Sequence, residues 1–99
     1  MRICLYVPVN SNGGKTGADL VKEIVNNLCT KLGGATVSNA SGYHCAGDGA
    51  LVEEPVYVVE AFSTDIQAVM VAHYQALVVK HAMQQTSAAY AIDGQMFLV

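Results

Sequence analysis

The sequence predicts an α+β fold in which two helices cover one face of an antiparallel β-sheet. Strand-like alternation near the start and in the middle of the chain surrounds two helical segments, and a hairpin pattern ends the sequence. Two strand-like segments in a row separate the helices, which gives the order β-α-β-β-α-β with a short extra strand at the end. This order is that of the ferredoxin-like, or split βαβ, arrangement.

The first strand is predicted over residues 2–9, where Ile3, Leu5, Val7 and Val9 alternate with the residues of the other face. Pro8 cannot donate a ladder hydrogen bond, so this end of the strand should lie at an edge or leave the sheet. The bare face of the sheet would carry Cys4 and Tyr6. These side chains are not typical of a fully solvated surface, so we expect a second subunit or a ligand to cover them.

The first helix is predicted from an apolar arc that ends at Gly33-Gly34 and comprises Leu20, Val21, Ile24, Val25, Leu28 and Leu32. "ATVSNASGYHC" is β-capable, and a short approach, "ALVEEP", leads into the strongest strand, "VYVVEAF". "STD" then opens a second helix whose apolar residues lie on several sides, so it should be covered on several sides. The Asp93-Gly94 pair predicts a hairpin turn between the last two strands.

The composition indicates one domain, residues 1–99, that associates with copies of itself. Apolar residues make up 53% of the chain and charged residues 13%, against typical values of about 45–50% and about 25%. This excess of apolar residues is more than one small core can hide, so we expect a homo-oligomer, a dimer or larger. Three cysteines without close pairs do not suggest a disulfide framework.

Charge and hydropathy exclude several classes of function. The net charge is −3 and the five basic residues are scattered, so duplex nucleic acid is not an expected partner. No apolar stretch is long enough to span a bilayer and the start does not have the pattern of a signal sequence, so a soluble cytoplasmic protein is expected. His44, Cys45 and Asp48 do not match the spacing of a zinc site, and neither a metal nor a cofactor is expected.

The segment "NSNGGKTG", residues 10–17, contains Gly-Lys-Thr between a strand and a helix. A phosphate-binding loop requires a further glycine at the position of Val9, and the chain is too short for the parallel sheet that carries such a loop. Two interpretations remain. The segment is a turn in which Thr16 caps the helix, or the helix N-terminus binds an anion through Asn12, Gly13, Gly14, Lys15 and Thr16.

Tyr43 and His44 form a second candidate group, because small residues surround them and should leave both rings accessible. Tyr43 would stack on a planar ring, and His44 would contact a ligand or carry a proton. Glu60 lies inside the strongest strand and needs a partner, for which Arg2 is the plausible residue. An acid–base pair of Glu60 and His44 is an alternative role.

The segment from Gly33 to Phe62 resembles a group of small phage-borne proteins. The shared pattern is Gly-Gly-x-Thr, a Gly-aromatic step, an Asp-Gly turn and Glu-Pro-Val, matched here by Gly33, Gly34, Thr36, Gly42, Tyr43, Asp48, Gly49, Glu54, Pro55 and Val56. Those proteins have a tryptophan near the position of His44, whereas this chain has none. The resemblance implies the ferredoxin-like fold and a phage setting, hence the host cytosol, and it implies no particular activity.

The main hypothesis is a phage counter-defence protein that sequesters an anionic, nucleotide-derived signal molecule without catalysis. The site would comprise Asn12, Gly13, Gly14, Lys15, Thr16, Tyr43 and His44. We expect the loop after the first strand and the turn after the second to lie at opposite ends of the sheet, so this site would form between subunits. The alternatives are a small dimeric αβ-barrel enzyme acting on a small hydrophobic substrate, and a module that inhibits a host protein by binding it.

Overall fold

A computed structural model describes all residues 1–99 and confirms the predicted α+β class. The elements are β1 (Arg2–Pro8), α1 (Gly17–Leu32), β2 (Thr36–Cys45), β3 (Leu51–Phe62), α2 (Gln67–Ala82), β4 (Ala89–Ile92) and β5 (Gln95–Leu98). The five strands form one sheet in the order β2-β3-β1-β4-β5, and every neighbouring pair is antiparallel.

The core lies between the helices and one face of the sheet. Ile3, Leu5 and Val7 of β1 are fully buried in the same apolar cluster as Leu20 and Ile24 of α1. At the start of α1, the Thr16 hydroxyl accepts a hydrogen bond from the Asp19 amide at 3.3 Å, so Thr16 caps the helix as the first interpretation of this segment predicts. At its end, Gly33 has a left-handed φ of 93° and its amide donates to the Cys29 carbonyl.

Helix α2 turns its alanines to the sheet and exposes some of its large apolar side chains to solvent. Ala68, Ala72 and Ala76 are fully buried, whereas Met70 and Tyr74 are exposed by 68% and 61%. Small residues let a helix approach the sheet closely, so the side with the smallest apolar groups is the one that packs. The prediction that α2 is covered on several sides is therefore not met within a single chain.

Strand β3 begins at Leu51, earlier than the strand predicted from Val56, and continues through Pro55. The Pro55 carbonyl accepts a hydrogen bond from the Val9 amide, just beyond the end of β1. The N–H that Pro55 lacks would face the Val9 carbonyl, which accepts from the Gly17 amide instead. β2 pairs with β3 as far as Cys45 and Leu51, but β1 pairs with β3 only as far as Pro8 and Val56. Residues 41–55 therefore project beyond β1 as a two-stranded extension, here called the arm.

The C-terminal hairpin forms as predicted between β4 and β5. Asp93 and Gly94 have φ values of 49° and 84°. Positive φ at both central residues is the feature of the type I′ turn that Asp-Gly favours. No helix has both the length and the apolar composition required to cross a membrane.

Candidate functional site

A cavity of about 150 Å³ opens where β1 separates from the chain that leads into β4. β4 pairs with β1 only from Ile3 to Leu5, so the two segments diverge beyond that point and leave a gap. This gap, here called the end cavity, lies at the base of the arm. Its lining includes Tyr6, Pro8, Glu54, Val56, Gln85 and Ser87.

The end cavity combines an apolar floor with polar groups that converge on it. Tyr6 and Val56 supply half-buried apolar surface, and Glu54, Gln85 and Ser87 add a carboxylate, an amide and a hydroxyl. A concave site of this composition is typical of small-molecule binding. Its size suits only part of a ligand, because complete ligand pockets usually measure about 300–1,000 Å³.

The lining of the end cavity contains one carboxylate, Glu54, and no Lys or Arg. From Gly33 to Val79 the sequence contains no Lys or Arg, whereas the arm carries Asp48, Glu53 and Glu54. The ion pairs of the molecule are Arg2–Glu60 and Lys15–Glu23, so Glu54 has no basic partner. A field of this sign attracts cationic ligands and repels anionic ones.

Glu60 pairs with Arg2, its predicted partner, on the open face of the sheet, which is the face away from the helices. Arg2 Nε donates to a Glu60 carboxylate oxygen at 2.7 Å. This hydrogen bond raises the pKa of Arg2, and the charges of Cys4 and Glu60 act in the same direction. Burial raises the pKa of the neighbouring Cys4 thiol, and the Arg2 charge opposes that shift in part. Because Glu60 is paired, it differs from Glu54 in its electrostatic surroundings.

The loop residues predicted to bind an anion have partners within the chain. The Lys15 ammonium pairs with Glu23, and the Lys15 amide donates to the Ala82 carbonyl at 3.2 Å. Asn12 Nδ2 donates to the Gln84 carbonyl at 3.3 Å, and Thr16 caps α1. Gly13 and Gly14 lie against the same C-terminal turn of α2. A ligand contact by these five residues stays a prediction.

Tyr43 and His44 are adjacent in β2, so their side chains point to opposite faces of the arm. Tyr43 lies opposite Glu53, and His44 lies opposite Val52, on the open face that also carries Glu54. The structure therefore brings His44, but not Tyr43, to the side of the end cavity. A ligand contact by either residue stays a prediction.

The expectation about the ends of the sheet is wrong. β1 and β2 are both antiparallel to β3, so they run in the same direction. The loop after β1 and the turn after β2 consequently lie at the same end of the sheet. A site that uses residues near both segments therefore does not require a second subunit on geometric grounds.

Sequence reasoning missed Gln85 and Ser87 and gave Glu54 no role of its own. Tyr6 was expected on the bare face, which agrees with its place in the lining of the end cavity. Glu54 could have been found, because a carboxylate next to Pro55 near a strand end has no Lys or Arg within twenty residues. Gln85 and Ser87 follow a helix in an ordinary connection, and nothing in their spacing indicates that the chain returns past β1.

No protein-family model matches the chain, and no curated protein sequence does. The architecture nevertheless matches that of a lyase of phage origin. One solved structure, a phage SAM lyase in the apo state, is 14% identical, with a TM-score of 0.72 over 99% of this chain and 86% of that one. A second, a phage SAM lyase in complex with S-methyl-5'-thioadenosine, is 14% identical with a TM-score of 0.70, covering 99% and 87%. At this identity the likeness shows the shared fold.

These comparisons overturn the main hypothesis. Sequestration without catalysis is wrong, because the fold matched over 99% of the chain is that of an enzyme, and the enzyme alternative agrees better with it. The likeness to a phage protein is supported, while the Gly-Gly-x-Thr pattern and the ferredoxin-like name gain no support. The structural relative binds a nucleotide-derived small molecule, S-methyl-5'-thioadenosine.

Proposed function

We propose that this chain is an enzyme that binds S-adenosylmethionine (SAM) and cleaves it to S-methyl-5'-thioadenosine. The observation that carries the proposal is the unpaired Glu54 carboxylate in the lining of the end cavity, within a fold shared with a phage SAM lyase. The likeness alone would suggest only a fold. A lining that holds the Glu54 carboxylate and no Lys or Arg adds a chemical preference that suits a cationic substrate.

The charge of SAM lies on its sulfonium sulfur. Cleavage of the bond between that sulfur and the γ-carbon of the methionine part returns the bonding electron pair to sulfur and leaves a neutral thioether, while an oxygen of the substrate's own carboxylate forms the new bond to the γ-carbon and closes a lactone. A carboxylate near the sulfur therefore stabilises the substrate more than the product. In this proposal Glu54 contributes mainly to substrate binding and to release of the product.

The remaining ligand would extend from the end cavity over the open face and the arm. Tyr6 offers an aromatic surface for a base, and Gln85 and Ser87 offer hydrogen-bond partners to polar ligand atoms. His44, on the same face as Glu54, is retained as a ligand contact. The anionic ligand expected at Asn12–Thr16 plays no part in this proposal.

The proposal is tested with Glu54→Gln, which keeps the shape of the side chain and removes its charge. We expect the KM for SAM to rise about tenfold with a smaller change in kcat, because the lost interaction is with the charged substrate. Formation of S-methyl-5'-thioadenosine is followed by chromatography.

Glu53→Gln is the matched control, since Glu53 is the preceding residue and lies on the opposite face of the arm. It should raise the KM for SAM much less than Glu54→Gln does. If the unmodified protein neither binds SAM nor forms S-methyl-5'-thioadenosine, the proposed function is wrong. Equal effects of the two substitutions would remove Glu54 from the site.

We further propose that the enzyme acts in a phage-infected cell by depleting the methyl donor on which host methylation depends. The resemblance of the sequence and the likeness of the fold both lead to phage proteins. Expression of the chain in a bacterial host should lower cellular SAM and raise S-methyl-5'-thioadenosine. Expression of Glu54→Gln at the same level should give a smaller change.

A further inference from the structure

The segment "NSNGGKTG" contacts the end of α2, and these contacts explain why it contains two glycines. The Lys15 amide donates to the Ala82 carbonyl at 3.2 Å, and Asn12 Nδ2 donates to the Gln84 carbonyl at 3.3 Å. These two carbonyls belong to the last turn of α2 and the residues just after it, where backbone acceptors have no partner within the helix. Residues 12–15, here called the clasp, thus fasten the end of α2 to the start of α1.

The two glycines of the clasp allow this close approach. Gly14 has a φ of 79°, and a Cβ at this position would collide with the Ala82 carbonyl oxygen. Gly13 has a φ of 149°, and a Cβ there would meet the flexible Gln84 side chain. A side chain at residue 14 therefore meets rigid backbone and adopts an unfavourable φ, whereas at residue 13 the obstacle can move.

The chain that the clasp holds becomes a wall of the end cavity. Gln84 has a left-handed φ of 53°, and the Gln85 amide donates back to the Lys80 carbonyl at 2.9 Å. After this turn, Gln85 and Ser87 line the end cavity together with Ala88. The position of this wall therefore depends on how the end of α2 is held.

The opposite wall of the end cavity, at the end of β1, is held by the last residue of the segment "NSNGGKTG". The Gly17 amide donates to the Val9 carbonyl at 3.2 Å, and a Cβ on Gly17 would collide with the Pro8 carbonyl oxygen. Pro8 itself lines the end cavity. Residues 12–17 thus contact the backbone beneath both walls without lining the cavity themselves.

We propose that the clasp is a positioning element that sets the width of the end cavity by holding residues 84–88 against the end of β1. This inference rests on the proposed function only for its effect on SAM, because the structural effect on residues 84–88 exists whatever the ligand. In this proposal Gly14 is required for the shape of the end cavity, and Lys15 contributes its backbone amide.

The test compares Gly14→Ala with Gly34→Ala, a control in which the added methyl group meets no atom within 4 Å and no positive φ is involved. In Gly14→Ala, the amides of residues 84–88 should exchange hydrogen at least about tenfold faster, with unchanged exchange in β3. The KM for SAM should rise about tenfold while kcat stays within about twofold, since a displaced wall weakens binding in the ground state and the transition state alike. Gly34→Ala should match the unmodified protein in both measurements.

Asn12→Ala serves as a milder variant if Gly14→Ala does not fold, because it removes only one side-chain hydrogen bond. It should accelerate exchange at residues 84–88 in the same direction by about threefold. Unchanged exchange in both folded variants overturns the clasp, and so does a fall in kcat with KM unchanged. If the unmodified protein does not process SAM, the proposed function fails, while the exchange measurement still decides whether the clasp holds the wall.

Discussion

Cys4 shows how burial and a neighbouring charged pair act on one side chain. It is 4% exposed in the central strand, next to the Arg2–Glu60 pair, and burial raises the pKa of its thiol. A thiol whose pKa is higher in the folded than in the unfolded state stabilises the fold below the ordinary thiol pKa of about 8.5. That contribution is lost as the pH rises through the folded pKa.

We therefore expect the free energy of unfolding to fall more steeply above about pH 8.5 for the unmodified protein than for Cys4→Ala. Urea unfolding at several alkaline pH values measures this difference, and Cys4→Ala is the reference for every contribution other than that of the Cys4 thiol. Parallel pH dependence in the two proteins would show that the thiol titrates alike in both states.

The sequence could predict side-chain pairs that follow from the register of neighbouring strands. Arg2 and Glu60 are on the same face of neighbouring strands, so a buried-strand carboxylate and the nearest arginine were correctly paired. Gln85 and Ser87 were not predictable, because their approach to Tyr6 depends on where β4 stops pairing with β1. That end point is a tertiary property with no local pattern.

Two substitutions in helix α2 show which of its sides determines the stability of the fold. Ala72 is fully buried against the sheet, so Ala72→Leu should lower the free energy of unfolding by about 1–3 kcal/mol through overpacking. This corresponds to a fall in the melting temperature of several degrees. Gln67→Leu places the same side chain on an exposed position of the same helix and should leave thermal unfolding nearly unchanged. Equal effects would mean that α2 packs through a different side.

Among the elements, those with a strong local pattern were predicted well. The alternation of β1 and the apolar arc of α1 each specify one conformation and one buried side. The Asp93-Gly94 pair specifies the type of turn. α2 has apolar residues all round, so its pattern could not show that the alanines face the sheet. The early start of β3 was missed because Pro55 indicates a break unless the position of β1 is known.

For the molecule as a whole, we propose that further copies of the chain cover the exposed apolar residues. Met96 and Leu98 of the edge strand β5 are 58% and 70% exposed on the open face, and Met70 and Tyr74 are exposed on α2. Edge strands without charged residues are prone to pairing with another chain. Native mass spectrometry should give a mass that is a multiple of the single chain.

Leu98→Lys should reduce that assembly, because a charge on an unpaired edge opposes strand addition. Thr30→Lys, on the exposed side of α1, adds the same charge away from β5 and should leave the assembly intact. A single-chain mass for the unmodified protein at micromolar concentration would contradict the proposal.

Under the proposed function, the absence of Lys and Arg between Gly33 and Val79 has a consequence for competition inside a cell. Most adenine there is attached to phosphate groups, and ATP offers the same base as SAM in a far more negative molecule. An acidic hairpin beside the end cavity would repel such competitors while drawing in a sulfonium. Discrimination of this kind would arise before any atom-to-atom contact, and added salt would weaken it.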